Sequence, residues 1–184
     1  MSLTFNTVGV IGAGTMGAGI AQVAAQAGCR VKLFDAREGA AAAANAKTAE
    51  TLNALAGKGK ITAEAAATTI ARLSAAPDLA DFHDCDLIVE AIVENLDAKR
   101  TLFKSLEGIC APTTVLATNT SSISITAIAA GLARPENVVG MHFFNPAPLM
   151  ALVEVVMGQQ TAPAIADRVE AACAEWKKTA VRCK

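Results

Sequence analysis

The sequence predicts an α/β fold, a doubly wound and mostly parallel sheet with a helical excursion after its second strand. Three observations predict it. Short apolar runs alternate with helical stretches along the chain, the pattern of a parallel sheet covered by helices. The first apolar run ends in G-x-G-x-x-G, at Gly12, Gly14 and Gly17. Two helical stretches then follow the second run before the next clear strand.

Taken in order, Thr7–Ile11 is a short apolar run ending at glycine and reads as a buried strand. The glycine segment leads into a helix over Ala18–Ala27, which Gly28 can stop. Arg30–Phe34 is the second strand and ends at Asp35. Strand, helix and strand fall within about 30 residues, the size of a βαβ unit. Glu38–Ala56 has no breaker after Gly39 and predicts a long helix; Gly57–Lys60 is a basic turn. Thr62 can cap a second helix running to Arg72, with Glu64 placing negative charge in its first turn. Leu73–Leu79 reads as a short strand with a turn at Pro77. Asp86–Ala91 is another buried strand, and Leu96–Gly108 a helix with Leu102, Phe103 and Leu106 at helical spacing. Strands are expected at Thr114–Thr118, Asn137–Phe144, Leu152–Val156 and Ala180–Cys183, with helices at Ser124–Ala130 and Ala164–Lys177. No linker or repeat divides the chain, so residues 4–184 read as one domain; Met1-Ser2-Leu3 can be read as an expression scar outside it.

A chain of 184 residues can bury a core without staples. It carries 16 basic and 17 acidic side chains and no basic stripe interleaved with aromatics, which argues against nucleic acid as a partner. No apolar run of about 18 residues predicts a membrane span, and no basic segment followed by an apolar one predicts a signal peptide. Cys29, Cys85, Cys110, Cys173 and Cys183 are scattered, with no C-x-x-C or Cys/His spacing. They read as reduced thiols of a cytoplasmic protein rather than disulfides or metal ligands.

The glycine motif sits between a strand and a helix, the context a dinucleotide fingerprint requires. Gly12 permits the tight turn, Gly14 lets backbone approach a pyrophosphate, and Gly17 lets the helix pack close to the strand. The helix N-terminus offers free N–H groups and a partial positive charge to phosphate. Asp35, 21 residues after Gly14, stands where an acid accepts hydrogen bonds from the adenosine ribose. The unit reads as Rossmann-type. A carboxylate there favours NAD over NADP, and Arg37 close by can soften that preference. The bland alternative is a glycine turn in an unrelated α/β protein.

Polar residues cluster at strand ends in the second half, the edge where open α/β sheets bind ligands. Asn119-Thr-Ser-Ser122 follows one strand, His142-Phe-Phe-Asn-Pro146 closes the next, and Glu154 lies in the run after that. Oxidising an alcohol needs a base for the hydroxyl proton, and histidine titrates near neutrality. A carboxylate on its second nitrogen would fix the tautomer and stabilise the imidazolium. Alone, His142 reads as structural, the Asn119–Ser122 run as a loop or cap, and Glu154 as a solvated strand position. Their combination with a nicotinamide site points to catalysis. Ser121, His142 and Glu154 are also the residue types of a hydrolase triad, but no G-x-S-x-G surrounds the serine.

These residues resemble the 3-hydroxyacyl-CoA dehydrogenase family. G-A-G-T-M-G-A-G-I-A-Q (Gly12–Gln22), E-A-I-V-E-N (Glu90–Asn95), N-T-S-S (Asn119–Ser122), H-F-F-N-P (His142–Pro146) and L-V-E-V (Leu152–Val155) stand in family order. The resemblance covers essentially the whole chain and implies oxidation of (3S)-3-hydroxyacyl-CoA to 3-oxoacyl-CoA by NAD. It implies His142 as base, Glu154 as its orienting partner, and Ser121 on the substrate oxygen. It puts Asn145 against nicotinamide or substrate, and Glu94 and Lys99 near the cofactor. With the loop residues Gly12, Ala13, Gly14, Thr15, Met16 and Gly17, the cofactor set includes Asp35, Asn119, Ser121 and Asn145. Thr51 and Lys58 fall where the family's helical excursion meets CoA. Such enzymes serve fatty-acid β-oxidation, butyrate metabolism and aromatic degradation. The family continues with a D-T-P-G-F-x-x-N-R segment and a helical domain that dimerises, whereas this chain stops at Arg182-Cys-Lys184. The expectation is a fragment of a homodimeric parent that binds NAD but turns over poorly. The competing readings are another β-hydroxyacid dehydrogenase, against which H-F-F-N-P speaks, and a non-catalytic NAD-binding sensor or structural protein.

Overall fold

The computed structural model describes residues 3–183. Strands β1 (Thr7–Ile11), β2 (Arg30–Phe34), β3 (Leu73–Ala75), β4 (Leu87–Glu90), β5 (Val115–Thr118), β6 (Val138–Phe143), β7 (Leu152–Met157) and β8 (Thr179–Cys183) form one sheet. Its order is β3-β2-β1-β4-β5-β6-β7-β8. All pairings are parallel except β6 with β7, which is antiparallel. The helices are α1 (Thr15–Ala27), α2 (Ala40–Gly57), α3 (Ala63–Ala71), α4 (Leu96–Ile109), α5 (Ile125–Ala129) and α6 (Pro163–Glu175). This is the Rossmann-type, doubly wound arrangement that the sequence predicts, with α2 and α3 as the excursion between β2 and β3.

Alternation along each strand builds a core on both faces. Val8, Val10, Leu87, Val89, Val115 and Ala117 join the layer under α1 and α6. Ile11, Ile88 and Leu116, their odd-numbered or even-numbered neighbours, join the layer with Phe82, Phe103 and Ile128. Near-continuous apolar runs are what a strand buried on both sides requires. Gly28 ends α1 with φ +116, its N–H bonded to Ala24 and Ala25 carbonyls. Thr62 caps α3 through the Ala65 N–H as expected.

Several elements differ from the sequence reading. Helix α1 begins at Thr15, inside the glycine motif, rather than at Ala18. A 3-10 helix over Leu79–Asp84 opens on a capping box between Asp78 and Asp81 and seats Phe82 fully buried beneath Gly9. Its six residues carry too little apolar periodicity to announce a helix. Asn137 belongs to a second 3-10 turn, Pro135–Asn137, so β6 starts one residue later. Leu3, set aside with its neighbours, packs against the core; Met1 and Ser2 of that leader, and Lys184 at the end of the expected domain, lie outside the described residues. Among the described residues no helix is long and apolar enough to cross a membrane.

Candidate active site

The glycine segment turns at Gly12, whose φ of +104 lies in the left-handed region. A Cβ there would sit 2.4 Å from the Ala91 carbonyl oxygen, and one on Gly17 would sit 1.7 Å from that of Gly12. Both glycines are therefore explained by the protein's own packing. Gly14 is not. Its φ is −71, and a Cβ on it would meet nothing within 4 Å. Gly14 is also the N-cap of α1, with no side-chain cap and no acid in the first turn. The first-turn N–H groups of the helix thus face an open space, the arrangement that receives a phosphate. A dinucleotide pyrophosphate fits this cradle, and the open approach at Gly14 is the observation that says so.

Asp35 follows β2, and its Oδ2 accepts the Ala13 N–H at 2.8 Å, locking the glycine loop to the strand end. Its Oδ1 accepts the Arg37 backbone N–H at 2.9 Å and Nε at 3.0 Å. These Arg37 contacts, aided by Ala13 and opposed by partial burial, hold the Asp35 carboxyl down at about 2. With Arg37 Nη2 on Oδ2 at 3.2 Å, four donors meet the two oxygens, so a ribose hydroxyl reaches the carboxylate by displacing a contact of the exposed Arg37 side chain. Arg37 is already committed to Asp35, which leaves less of its charge for a 2′-phosphate.

Beyond α1 a cavity of about 390 Å³ is lined by Gly14, Thr15, Lys47, Thr51 and Asn145. A second, of about 360 Å³, is lined by Met16, Glu94, Lys99, Asn119, Ser121 and His142. Asn145 borders both, so the two spaces meet at the end of β6. Its peptide bond to Pro146 is cis. The Asn119 Oδ1 accepts the Phe143 N–H at 2.8 Å, tying the Asn119–Ser122 loop to β6.

His142 and Glu154 are direct partners in the antiparallel β6–β7 register. Their side chains meet with Nδ1 2.8 Å from Oε2. His142 is 17% exposed and opens on the cavity with Ser121, and a larger space of about 590 Å³ begins on its other side with Ser124, Val156 and Gln159. Ser121 borders both spaces. A carboxylate accepts only, so Nδ1 donates to it, and in the neutral imidazole the free lone pair is that of Nε2. The contact selects the tautomer that a base acting at Nε2 needs.

The structure brings together Gly12 to Gly17, Asp35, Asn119, Ser121, His142, Asn145 and Glu154, as expected. Thr51 lines the α1–α2 cavity, though its hydroxyl donates to the Lys47 carbonyl at 3.0 Å. Lys58 borders neither cavity; it is the exposed C-cap of α2. Lys47, one turn before Thr51 on the same helix face, lines the cavity instead. Only its i,i+4 spacing from Thr51 could have pointed to it. Lys99 reaches the cavity wall but is 1% exposed, its Nζ held 2.7 Å from Glu90 and 3.2 Å from Glu94. Burial pulls the Glu94 carboxyl upward, but the Thr120 hydroxyl, Lys99 and the Ser122 hydroxyl outweigh it and hold it below the usual range. Glu90 and Thr118, buried beneath this cluster, were missed because they sit inside a strand pattern that reads as core. Among the described residues no group of His, Cys, Asp and Glu is placed to hold a metal ion.

Residues 7–184 match the model of the 3-hydroxyacyl-CoA dehydrogenase NAD binding domain. The chain is 47% identical over its whole length to a 3-hydroxyadipyl-CoA dehydrogenase of Escherichia coli, covering 38% of that protein. It is 48% identical over 95% of its length to a probable 3-hydroxybutyryl-CoA dehydrogenase of Deinococcus radiodurans, covering 63% of it. The crystal structure of an Escherichia coli 3-hydroxybutyryl-CoA dehydrogenase superposes with a TM-score of 0.96 over 97% of this chain and 38% of the other, at 47% identity. The chain thus spans between about two fifths and two thirds of the length of these relatives.

Proposed function

The chain belongs to the 3-hydroxyacyl-CoA dehydrogenase family, as its NAD-binding domain, and on that premise we propose that its whole protein oxidises the 3-hydroxyl of an acyl-CoA. The observation that carries the reading is the His142–Glu154 pair at 2.8 Å, with His142 bordering both the Ser121 cavity and the larger space beside Ser124 and Gln159. Short 3-hydroxyacyl chains are the proposed substrates, in keeping with the 3-hydroxybutyryl and 3-hydroxyadipyl names of its relatives.

In this reading Gly14 and the first turn of α1 hold the pyrophosphate, and Asp35 holds the adenosine ribose. Met16, Asn119 and Asn145 wall the nicotinamide end. Bound NAD supplies the acceptor for the hydride that leaves C3. His142 Nε2 takes the proton of the 3-hydroxyl, and the Glu154 carboxylate stabilises the imidazolium that results. The Ser121 hydroxyl and the Asn145 amide donate to the substrate oxygen, holding it within reach of Nε2. Lys47 and Thr51, on the cavity wall that α2 provides, are placed for the polar groups of CoA. Glu94 and Lys99 shape the wall behind Ser121.

The reading is tested by following NADH formation by the whole protein with (3S)-3-hydroxybutyryl-CoA and 3-hydroxyadipyl-CoA, and by calorimetric titration of the chain with NAD and NADP. Turnover with NAD, and tighter binding of NAD than NADP, are expected. An inactive whole protein that still binds NAD would sink the catalytic reading and leave a sensor. Equal affinity for both cofactors would remove Asp35 from its role.

A further inference from the structure

We infer that Glu90, which borders neither cavity, is a positioning residue: through Thr118 and Lys99 it fixes the loop that presents Ser121. The inference rests on the proposed function only in taking Ser121 to face the substrate.

Glu90 ends β4 in the middle of the sheet, in register with Ile11 of β1 on one side and Thr118 of β5 on the other. It is 0% exposed, in a strand whose other residues are Leu87, Ile88 and Val89. A buried ion pair is seldom kept for stability, since apolar side chains of like volume do as well. What the carboxylate does that they could not is accept three donors. Oε1 takes the Ile92 N–H and the Lys99 ammonium, each at 2.7 Å, and Oε2 takes the Thr118 hydroxyl at 2.7 Å.

Two routes lead from these bonds to Ser121. Thr118 immediately precedes Asn119, and its Oγ1 also accepts the Thr120 N–H at 3.3 Å. Lys99 bridges Glu90 to Glu94. Glu94 in turn accepts the hydroxyls of Thr120 and Ser122, the second at 3.1 Å. Thr120 Oγ1 closes the loop by accepting the Ile123 N–H at 3.0 Å. Ser121 itself is exposed, and the residue on each side of it is held by Glu94. The order of donors requires an anion at position 90. A glutamine offers one oxygen and one amino group where three donors converge, so one donor loses its acceptor.

Amide exchange in E90Q, K99M and the E90Q/K99M double variant tests this on the chain. Exchange at Thr120, Ser122 and Ile123 is expected to quicken roughly tenfold in E90Q, while the β1 and β2 amides keep their rates. K99M is expected to be worse, because it strands Glu90 without its cation, and the double variant should recover part of that loss. Loop amides exchanging as in the parent, in a folded E90Q chain, would overturn the inference. If K99M fails to fold, the nearly isosteric E90Q decides alone. In the whole protein E90Q should lower kcat/KM about tenfold, with kcat bearing most of it, as for a displaced Ser121. A merely structural Glu90 would lower the melting temperature and leave the rate per folded molecule unchanged. A whole protein without dehydrogenase activity would count against the proposed function, while loop exchange would still decide the part played by Glu90.

Discussion

Gly14 and Gly17 stand three residues apart in one motif, yet the structure gives them opposite reasons to be glycine, and alanine at each separates the two. A Cβ on Gly17 would lie 1.7 Å from the Gly12 oxygen and 2.9 Å from its carbonyl carbon. Backbone atoms must move, and overpacking of this kind costs about 1–3 kcal/mol or more. At about 2–4 °C per kcal/mol for a chain of this size, Gly17→Ala should melt roughly 6–12 °C lower if the cost sits at the upper end. A Cβ on Gly14 meets no protein atom within 4 Å, and φ of −71 suits any residue. Lower chain entropy in the unfolded state favours alanine by about 0.4–1 kcal/mol, while alanine is the poorer N-cap by a similar amount. The melting temperature of Gly14→Ala should stay within about 3 °C of the parent. Its NAD affinity should not survive so well. The methyl occupies the approach of the pyrophosphate, and each charge-assisted hydrogen bond lost costs about 1.5–3 kcal/mol. One such loss weakens binding roughly 10- to 150-fold. Calorimetry with NAD and thermal melting, run on the same samples, read both quantities. A Gly14→Ala chain that binds NAD like the parent would refute the cradle. One that melts as low as Gly17→Ala would refute the packing account.

Other outcomes follow from single features. In the whole protein His142→Ala should lower kcat by roughly 10²–10⁴ with NAD affinity little changed, and Glu154→Gln should also reduce kcat; kcat near the parent value in a folded His142→Ala protein would remove the histidine from the proposed mechanism. Lys177, just past α6, holds φ at +57 without being glycine, so Lys177→Gly should raise the melting temperature by about 1–4 °C, and a fall would show that its side chain contributes more than the backbone strain. Burial pushes the thiols of Cys29 and Cys110 up to about 11 and those of Cys85 and Cys173 to about 12, while Cys183 is only half-buried. A thiol reagent at pH 8 should therefore modify one cysteine quickly in the native chain and all five after denaturation; two or more fast thiols would contradict the burial. Asp35 is depressed to about 2, so its contribution to stability is complete above its unfolded value near 4 and is lost as pH falls through about 2; the stability difference between the parent and Asp35→Asn should hold steady above about pH 4 and shrink only between about 4 and 2.

Much of this was legible because local chemistry and fold agree. Thr7–Ile11 and Arg30–Phe34 have the strand ranges their apolar runs predict, and Gly12 and Gly17 are glycine for the reasons the motif supplies. What stayed hidden depends on neighbours distant in sequence. Leu79–Asp84 is helical because Asp78 and Asp81 cap it and Phe82 has a slot under Gly9, none of which appears as a period. Glu90 ends a run that reads as an apolar strand, and its role follows from Thr118, 28 residues on. Lys99 is placed near the cofactor only by the resemblance, and its burial between two carboxylates follows from β4 and its following turn. Lys58 was expected at the site from the resemblance in a segment without a distinctive motif, and a charge in a turn carries no information about which way the turn faces.

The proposed catalytic pair shows how far packing can dictate the geometry of a site. His142 and Glu154 are 12 residues apart, a spacing a parallel connection could hardly bridge, because a crossover needs a dozen or more residues between strands. The sheet reverses once, at β6–β7, and that reversal makes the two residues direct neighbours. Their register is set from the opposite face. Met141 pairs with Val155 and Phe143 with Val153, and all four are at most 2% exposed in the layer under α6. A slip of one residue would drive Glu154 into that layer and turn Val153 or Val155 out toward the cavity. Such a slip removes a charge from solvent and exposes an apolar side chain, two costs of several kcal/mol that both oppose it. The turn between the strands adds a lock, since the Lys178 ammonium donates to the carbonyls of Ala147 and Met150 at 2.7 and 2.8 Å. The 2.8 Å contact between His142 and Glu154 is therefore held by apolar residues buried on the opposite face of the sheet, and those residues are the ones a strand pattern reveals most plainly.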